Sequence, residues 1–270
     1  KQVSIFENDV VITTPENQII ESDYAEYNKK DGIIILKKNV KAIDNEMNEV
    51  YADYAEYNER LKTLNTIGKT NIKTSEGYII EGKDIVFDDL NKYIKSKSLT
   101  TITDQNNNII YLSNFEYLTN KFIFKSIGEI KVEDNRENTY NFSQIYIDTK
   151  SKELLGTDIK SFLNNKSFKI DERNKPRIFA NNVKIDREIT EFNKANFTLC
   201  NYRKDEKCPP WTIQSTKMLH DSKKKTVYYD NALIKIYDIP VFYTPKFSHP
   251  DPSVKRRSGF LVPSFLDTRN

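Results

Sequence analysis

The sequence predicts an all-β fold built from stacked repeats of two strands each. Two observations lead to this fold class: a pattern that recurs every 30 residues, and apolar residues that lie two positions apart inside each copy. Alternation with a period of two is typical of a strand with one buried face, whereas a helix repeats every 3.6 residues. A fixed period of this size marks supersecondary units that cannot bury their apolar faces alone and therefore stack.

The repeat is visible first as an identity, because Asp23-Tyr24-Ala25-Glu26-Tyr27-Asn28 returns unchanged as Asp53-Tyr54-Ala55-Glu56-Tyr57-Asn58. Each of five copies opens with an apolar residue and carries an apolar pair five and seven positions later. The openers are Ile20, Val50, Ile80, Ile110 and Tyr140, and the pairs are Ala25/Tyr27, Ala55/Tyr57, Ile85/Phe87, Phe115/Tyr117 and Ile145/Ile147. We therefore expect the copies to lie side by side with their apolar residues in register.

Each copy is predicted to contain a strand, a turn and a return strand. The turn of the first copy is Asn28-Lys29-Lys30-Asp31-Gly32, in which Gly32 is free to adopt a positive φ. Its return strand carries apolar residues at alternating positions, as does the clearer return strand of a later copy. These residues are Ile34, Leu36, Val40 and Ala42 in the first copy, and Phe122, Phe124, Ile130 and Val132 in the later one.

Composition argues against a nucleic-acid surface and against a membrane-spanning helix. Charged residues make up 30% of the 270 residues, but the net charge is only +3, and no basic stripe indicates a nucleic-acid surface. No run approaches the roughly 18 apolar residues of a membrane-spanning helix. The sequence begins at Lys1-Gln2-Val3 without an apolar leader, so we expect any signal peptide to have been removed.

Proline marks the predicted domain boundary. After Pro15 the next proline is Pro176, and the others fall between Pro209 and Pro263. We expect residues 1–225 to form the repeat domain and residues 226–270 to form a proline-rich junction. Because proline is not tolerated in central strands, Pro240 and Pro245 favour a rigid, extended connector.

Two cysteines, Cys200 and Cys208, leave several readings open. A local disulfide requires Cα atoms within about 7 Å, and free thiols are the plain alternative. A zinc site would recruit His220, with or without His249, and the spacing of these residues matches no compact zinc motif. We expect no metal and no cofactor.

Three blocks near the end of the chain carry a family resemblance. They are Cys208-Pro209-Pro210-Trp211-Thr212-Ile213, Ile239-Pro240-Val241-Phe242-Tyr243-Thr244-Pro245 and Arg256-Arg257-Ser258-Gly259-Phe260-Leu261-Val262-Pro263. In order and spacing they resemble the lipopolysaccharide-assembly LptD family, also called the organic solvent tolerance or OstA family. The upstream repeats are similar to the OstA-type repeat.

This resemblance implies an antiparallel β-jellyroll in the periplasm, slightly open along one side, whose interior carries the acyl chains of lipopolysaccharide (LPS). It implies a non-enzymatic role in the outer-membrane translocon: the domain accepts LPS from the periplasmic bridge protein LptA and passes it to a transmembrane barrel that associates with the lipoprotein LptE. The barrel strands are not present before Asn270, so we expect this chain to be the periplasmic part with its junction. The family also ties its periplasmic domain to the barrel through cysteines, which favours a disulfide at Cys200 or Cys208 in an oxidising periplasm.

The alternation predicts which residues would line the lipid path. Each is equally compatible with an ordinary packed core. The candidates are Ile12, Ile20, Tyr27, Ile34, Leu36, Tyr57, Ile80, Phe87, Phe115, Tyr117, Phe122, Phe124, Ile130 and Val132.

Two further surfaces follow from the pattern. The first repeat is expected to leave an unpaired edge at Val10, Val11 and Ile12, to which the bridge protein adds a strand. At the junction, Trp211 should anchor the proline-rich tail. The basic run Lys255-Arg256-Arg257 either contacts lipid phosphates or remains an exposed set of charges.

Two other function classes stay open. A structural β-solenoid or β-sandwich of the scaffold or adhesin kind would have a solid core and no lipid, so packing density separates it from a carrier. An enzyme is the weaker alternative, because His220 and His249 are the only imidazoles and neither belongs to a nucleophile motif.

Overall fold

The structure of the chain is a computed structural model. It describes residues 3–14, 17–45, 47–164, 176–200, 210–251 and 254. These ranges contain twenty β-strands and no helix, and the strand pairs are antiparallel. The all-β antiparallel class predicted from the sequence is therefore confirmed.

The chain divides into two compact units. Unit 1 comprises Lys1–Asn135 and Phe142–Ser151, and unit 2 comprises Arg136–Asn141 and Lys152–Asn270. The strands of unit 1 are β1 (Val3–Thr13), β2 (Ile19–Asn28), β3 (Ile33–Ile43), β4 (Glu49–Asn58), β5 (Thr63–Thr66), β6 (Lys69–Lys73), β7 (Ile79–Lys83), β8 (Val86–Asp88), β9 (Tyr93–Ser96), β10 (Thr100–Thr103), β11 (Ile109–Leu112), β12 (Phe115–Leu118) and β13 (Ile123–Glu133). Strand β14 (Thr139–Asp148) contributes residues to both units.

Unit 1 is a ladder that splits into two arms. Strands β1 to β4 pair in sequence order, and β4 then pairs with both β5 and β6. One arm continues through β5, β8, β9 and β12 to β13. The other continues through β6, β7, β10 and β11 to the same β13. The two-strand repeats of the sequence therefore form paired layers, as in the predicted β-jellyroll.

The long strands bend near their midpoints, which the sequence did not locate. At one bend Lys38 and Asn39 adopt positive φ values of 64° and 51°, and the Asn39 side chain donates to Asp23 Oδ2 at 2.8 Å. In the next repeat Gly68 takes a φ of +81°. Each opening residue lies five positions before the first residue of its apolar pair. Five is an odd number, so in a straight strand the opening residue and the pair would face opposite sides of the sheet. A bend between them lets both face the interior.

Buried hydroxyl groups satisfy the backbone at these bends. Thr66 Oγ1 accepts from the Ile85 N–H at 3.0 Å and from the Thr70 hydroxyl at 2.7 Å. Ser96 donates to the Lys83 carbonyl at 2.8 Å. A buried backbone group without a partner is costly, so these small polar residues stabilise the corners.

The turns at one end of the ladder repeat with the sequence. Gly32, Lys62, Lys92 and Phe122 each have a positive φ, of +66°, +52°, +56° and +57° respectively. The positive φ predicted for Gly32 is confirmed. The same geometry at Phe122 places a bulky side chain in a turn, where it is 43% exposed.

Unit 2 is a meander of six strands in which each pairs with the next. The strands are β15 (Glu153–Phe162), β16 (Arg177–Ile185), β17 (Ile189–Thr198), β18 (Trp211–Asp221), β19 (Thr226–Ile236) and β20 (Ile239–Pro250). Its core is built from alternating apolar residues of consecutive strands. They include Ile159, Val183, Phe192, Ile213, Met218 and Tyr229.

Strands β19 and β20 occupy much of the segment that the prolines had suggested was an extended connector. Thr226–Ile236 and Ile239–Pro250 are paired strands instead. Pro240 and Pro245 both lie in β20, which pairs with β19 alone among the described strands. Proline lacks an N–H but is tolerated on an edge strand, so the proline pattern marks an edge and not a connector here.

Candidate functional site

The cross-strand register of unit 1 assembles an apolar row along one arm. Eight residues from eight strands are consecutive lateral partners in this first apolar row. The row reads Tyr27, Ile34, Tyr57, Leu64, Phe87, Ile94, Tyr117 and Phe124. Six of these eight are among the residues nominated from the sequence. Neighbouring strands are about 4.8 Å apart, so the row extends for roughly 34 Å.

A second apolar row runs along the other arm, with nine residues from nine strands. The row reads Ile12, Ile20, Ala42, Val50, Ile72, Ile80, Ile102, Ile110 and Val132. Four of them, Ile12, Ile20, Ile80 and Val132, were nominated from the sequence. Both rows therefore arise from the same 30-residue period, one on each side of the bend.

The remaining nominated residues lie beside the bends, apart from Phe122. Leu36, Phe115 and Ile130 are buried, and the ring of Phe115 stacks on Phe124 with centroids 5.7 Å apart. Leu36 belongs to a core cluster that contains residues of both rows. This cluster consists of Ile20, Ala25, Ile34, Leu36, Val40, Ala55 and Tyr57, with Val10, Ile12, Tyr27, Ala42 and Leu64 packed against it.

The placement of Phe122 on the apolar face was wrong. By alternation Phe122 looks like the first inward residue of β13, but that strand begins at Ile123 and Phe122 closes the preceding turn. Its exposed ring lies beneath the Lys150 ammonium, 5.6 Å from the ring centroid. Because Phe122 is 43% exposed, this cation–π contact lies at the surface and Phe122 does not line the interior.

Seven residues of the rows were not nominated. Ala42, Val50 and Ile110 had been recognised as part of the repeat, whereas Leu64, Ile94, Ile72 and Ile102 were missed altogether. All four lie in short strands of four or five residues that carry only one or two apolar side chains. A signal for them existed, because the 30-residue period relates Ile34 to Leu64 and Leu64 to Ile94. Extending the repeat to the return strands would have found them.

The opposite face of these strands is charged. Lys125 pairs with Glu116 at 3.0 Å, and Lys131 pairs with Glu133 at 2.5 Å. Their side chains remain between 34% and 48% exposed. Surface pairs of this kind contribute little to stability, about 0–1 kcal/mol, so this face serves chiefly to keep unit 1 hydrated.

Strand β1 presents an unpaired edge. Among the strands that the structure describes it pairs with β2 only. Val11 is 62% exposed, whereas Val10 and Ile12 pack against the core cluster. The edge predicted at these three residues is therefore available for another strand, and the apolar face beside it continues the second apolar row.

Unit 2 contains a buried polar cluster around its two histidines. The Tyr229 hydroxyl lies 2.9 Å from His249 Nε2, and His249 Nδ1 lies 2.8 Å from the Pro250 carbonyl. A carbonyl only accepts, so Nδ1 carries the hydrogen and Nε2 accepts from Tyr229. His220 Nε2 contacts Asp251 Oδ2 at 2.5 Å.

Burial shifts the pKa of His249 and of Tyr229. It lowers the pKa of His249 and raises the pKa of Tyr229. His249 is stacked between aromatic rings, with Phe197 at 6.3 Å and Tyr229 at 5.5 Å between centroids. The hydrogen bond from Tyr229 to His249 therefore joins β19 to β20. Because the Nε2 atom of His249 is occupied by this bond and the ring is enclosed by aromatic neighbours, the imidazole is poorly placed to act as a catalytic base.

Trp211 opens β18 and packs edge-on against Phe197, with centroids 6.2 Å apart. Its carbonyl accepts from the Thr198 hydroxyl at 2.7 Å. It therefore anchors two strands of unit 2, while its predicted effect on the tail stays a prediction.

Nearby Cys200 is half-buried, and burial raises the pKa of its thiol. Cys208, Arg256 and Arg257 lie outside the described residues, so the disulfide and the phosphate contact stay predictions.

No group of three or more histidine, cysteine or acidic side chains in the described ranges could hold a metal ion. No helix in those ranges is long and apolar enough to cross a membrane.

Curated relatives resemble part of the chain. It is 43% identical over 60 residues to the LPS-assembly protein LptD of Francisella tularensis subsp. holarctica (strain OSU18), a match that covers 22% of this chain and 7% of the relative. It is 40% identical over 60 residues to LptD of Yersinia pestis bv. Antiqua (strain Antiqua), covering 22% and 8%. The matched segment thus spans less than a tenth of the length of these relatives.

No family model matches the chain. Among solved structures, LptH, the LptA homologous periplasmic component of the lipopolysaccharide transport device from Pseudomonas aeruginosa, covers 51% of this chain and 79% of its own at 13% identity. Its TM-score of 0.24 is too low to support a conclusion. The resemblance therefore depends on sequence, through the LptD matches and the terminal blocks. Over that 60-residue segment the chain is similar to the LPS-assembly protein LptD.

Proposed function

We propose that this chain is the periplasmic lipid-binding module of an outer-membrane LPS translocon, and that unit 1 holds the acyl chains along its two apolar rows. The register of these rows is the observation that carries the proposal. Each is continuous across eight or nine strands and is long enough for a fatty acyl chain to lie along it. Every methylene removed from water contributes about 0.8 kcal/mol, so a continuous row favours acyl chains over polar ligands.

The edge of β1 supports the proposed route of entry. Strand addition by the bridge protein LptA would continue the β1–β2 ladder and extend the second apolar row beyond Ile12. LPS would then pass through the module towards the barrel of a full-length LptD, with the lipoprotein LptE as a partner of that barrel. This route places the chain on the periplasmic side of the outer membrane, in transport and not in catalysis.

A scaffold with a solid core is the second candidate, and one observation favours it. Several row residues are almost fully covered by the chain itself: Ile20 is 2% and Ile72 is 3% exposed. A scaffold keeps these side chains packed against each other, whereas a carrier must let its layers separate to admit lipid. Binding therefore distinguishes the two.

Adjacent isoleucines of β7 provide a matched test. Ile80 belongs to the second apolar row and is half-buried, whereas Ile79 is 46% exposed on the opposite face. LPS binding by the purified chain is measured for wild type, Ile80→Asp and Ile79→Asp, with circular dichroism to verify folding. We expect Ile80→Asp to weaken binding by at least about tenfold, equivalent to 1.4 kcal/mol, and Ile79→Asp to bind like wild type. A wild-type chain that binds no LPS, or two variants that bind equally well, would contradict the proposal.

A further inference from the structure

The hairpin of β19 and β20 carries an uncovered apolar surface that neither the core of unit 2 nor the proposed lipid path uses. We define the hairpin patch as Tyr237, Ile239, Val241, Phe242 and Tyr243. Each of these residues is between 53% and 65% exposed. Exposed apolar residues are common singly, but a contiguous group marks a contact surface.

The geometry of the patch restricts what can cover it. Val241, Phe242 and Tyr243 are consecutive in β20, so their side chains point alternately to both faces of the strand. The outer edge of β20 has no strand partner among the described residues. The tip is a tight turn in which Tyr237 and Asp238 both have a positive φ, of 51° and 64°. The patch is therefore bare on two faces, one edge and the tip.

A single added strand or a flat protein surface covers such a hairpin incompletely. An added strand would pair with the edge and leave both faces exposed, and a packed surface would cover only one face. A lipid interface surrounds an inserted hairpin on every side. Tyrosine suits this environment, because its ring is apolar and its hydroxyl stays with the polar headgroups.

The charges next to the patch fit the same environment. Within Tyr237–Tyr243 the only charged residue is Asp238. Lys235 lies opposite Pro240 at the base of the hairpin. Further along β20, Lys246 pairs with Asp230 at 2.6 Å but its side chain is 78% exposed, so its ammonium can also reach a headgroup. The sequence continues after β20 with the basic run Lys255-Arg256-Arg257. Basic residues beside an apolar insert are attracted to anionic lipid headgroups.

We propose that the β19–β20 hairpin docks into the interfacial region of a phospholipid bilayer through the hairpin patch. This contact is independent of LPS carriage, since it requires neither apolar row of unit 1. It would hold unit 2 against a membrane surface by side chains of this chain itself.

The test is flotation of the full chain with vesicles of phosphatidylethanolamine and phosphatidylglycerol that contain no LPS. The variant Val241→Asp/Phe242→Asp removes the apolar character of both faces of β20. The control, Ile5→Asp/Val11→Asp, changes two comparably exposed residues of β1, which are 59% and 62% exposed. We expect the wild type and the control to float, and the β20 variant to lose at least about tenfold in partitioning.

A second measurement does not depend on a loss of binding. An environment-sensitive fluorophore is attached to a cysteine introduced at Tyr243, and separately to one introduced at Ile5, with Cys200 and Cys208 replaced by serine. We expect the emission to shift to the blue on addition of vesicles at position 243 only. A wild-type chain that does not float, equal losses from both double variants, or a shift at neither position would overturn the proposal. So would a concentration-dependent dimer that the β20 variant abolishes without any binding to vesicles, because the patch would then be covered by a second copy.

Discussion

The Tyr229 hydroxyl donates to His249 Nε2 across 2.9 Å, and only 1% of Tyr229 and 7% of His249 are exposed. This bond joins β19 to β20 at the end of unit 2. Tyr229→Phe leaves the imidazole nitrogen without a partner in a buried site, which should cost about 1–3 kcal/mol. Urea denaturation of unit 2 measures the loss, with Tyr228→Phe as the control because Tyr228 is 37% exposed. Equal midpoints for the two variants would show that the bond adds nothing to stability.

The same cluster should make unit 2 sensitive to acid. Burial lowers the pKa of His249 in the folded state; the carbonyl of Pro250 and the charge of Asp251 oppose this shift, and His220 adds to it. The unfolded chain, with a histidine pKa near 6.5, binds more protons between the two pKa values. Stability is therefore complete above about pH 6.5 and falls as the pH decreases towards the folded pKa.

Denaturation midpoints at about pH 8 and about pH 5 test this dependence, since histidine titrates between them. We expect the wild type to be less stable at the lower pH, and His249→Gln to have a smaller difference between the two midpoints. A wild-type midpoint that rises on acidification would contradict the sign of the shift.

The two faces of β13 should respond differently to a new negative charge. Phe124 is 8% and Ile130 is 2% exposed, so Phe124→Asp or Ile130→Asp places an unpaired carboxylate in an apolar environment at a cost of several kcal/mol. Lys125→Asp replaces the surface pair with Glu116 by two exposed carboxylates on facing strands and should cost only about 1 kcal/mol. Thermal denaturation of the variants provides the measurement. Similar losses on both faces would mean that the inward face has been assigned wrongly.

The edge of β1 should be required for head-to-tail assembly. Val11→Lys places a charge on an exposed edge position without disturbing the core, and charged edges resist strand addition. We expect binding of LptA to weaken roughly tenfold, the equivalent of 1.4 kcal/mol. Ile239→Lys, which changes an equally exposed residue of β20, is the control. Binding that survives Val11→Lys but not Ile239→Lys would move the docking surface to the other edge.

The 30-residue period was enough to predict the strand pairs and most of the two apolar rows. It placed residues such as Ile34 and Tyr57 on the buried face of their strands, because alternation and burial agree wherever a strand is regular. It failed where the backbone leaves strand geometry. Phe122 lies in a turn with a positive φ, and the bend at Gly68 divides one long strand into β5 and β6. Neither position is marked by apolar alternation.

Proline was misread for a related physical reason. Pro240 excludes a central strand but does not exclude an edge, and the sequence does not indicate which strand is last in a ladder. The tertiary cluster of Tyr229 and His249 was equally hidden, because the two residues are twenty positions apart. Their contact depends on the register of β19 against β20.

Photo-crosslinking from two adjacent residues of β12 tests the central claim most directly. A photoreactive amino acid replaces Tyr117, a member of the first apolar row, or Glu116, which faces outward and pairs with Lys125. The chain is then supplied with LPS by a donor and irradiated. We predict an LPS adduct from position 117 and none from position 116. Equal labelling at both positions, or no adduct at 117 in a folded chain that has bound LPS, would contradict an interior that carries lipid.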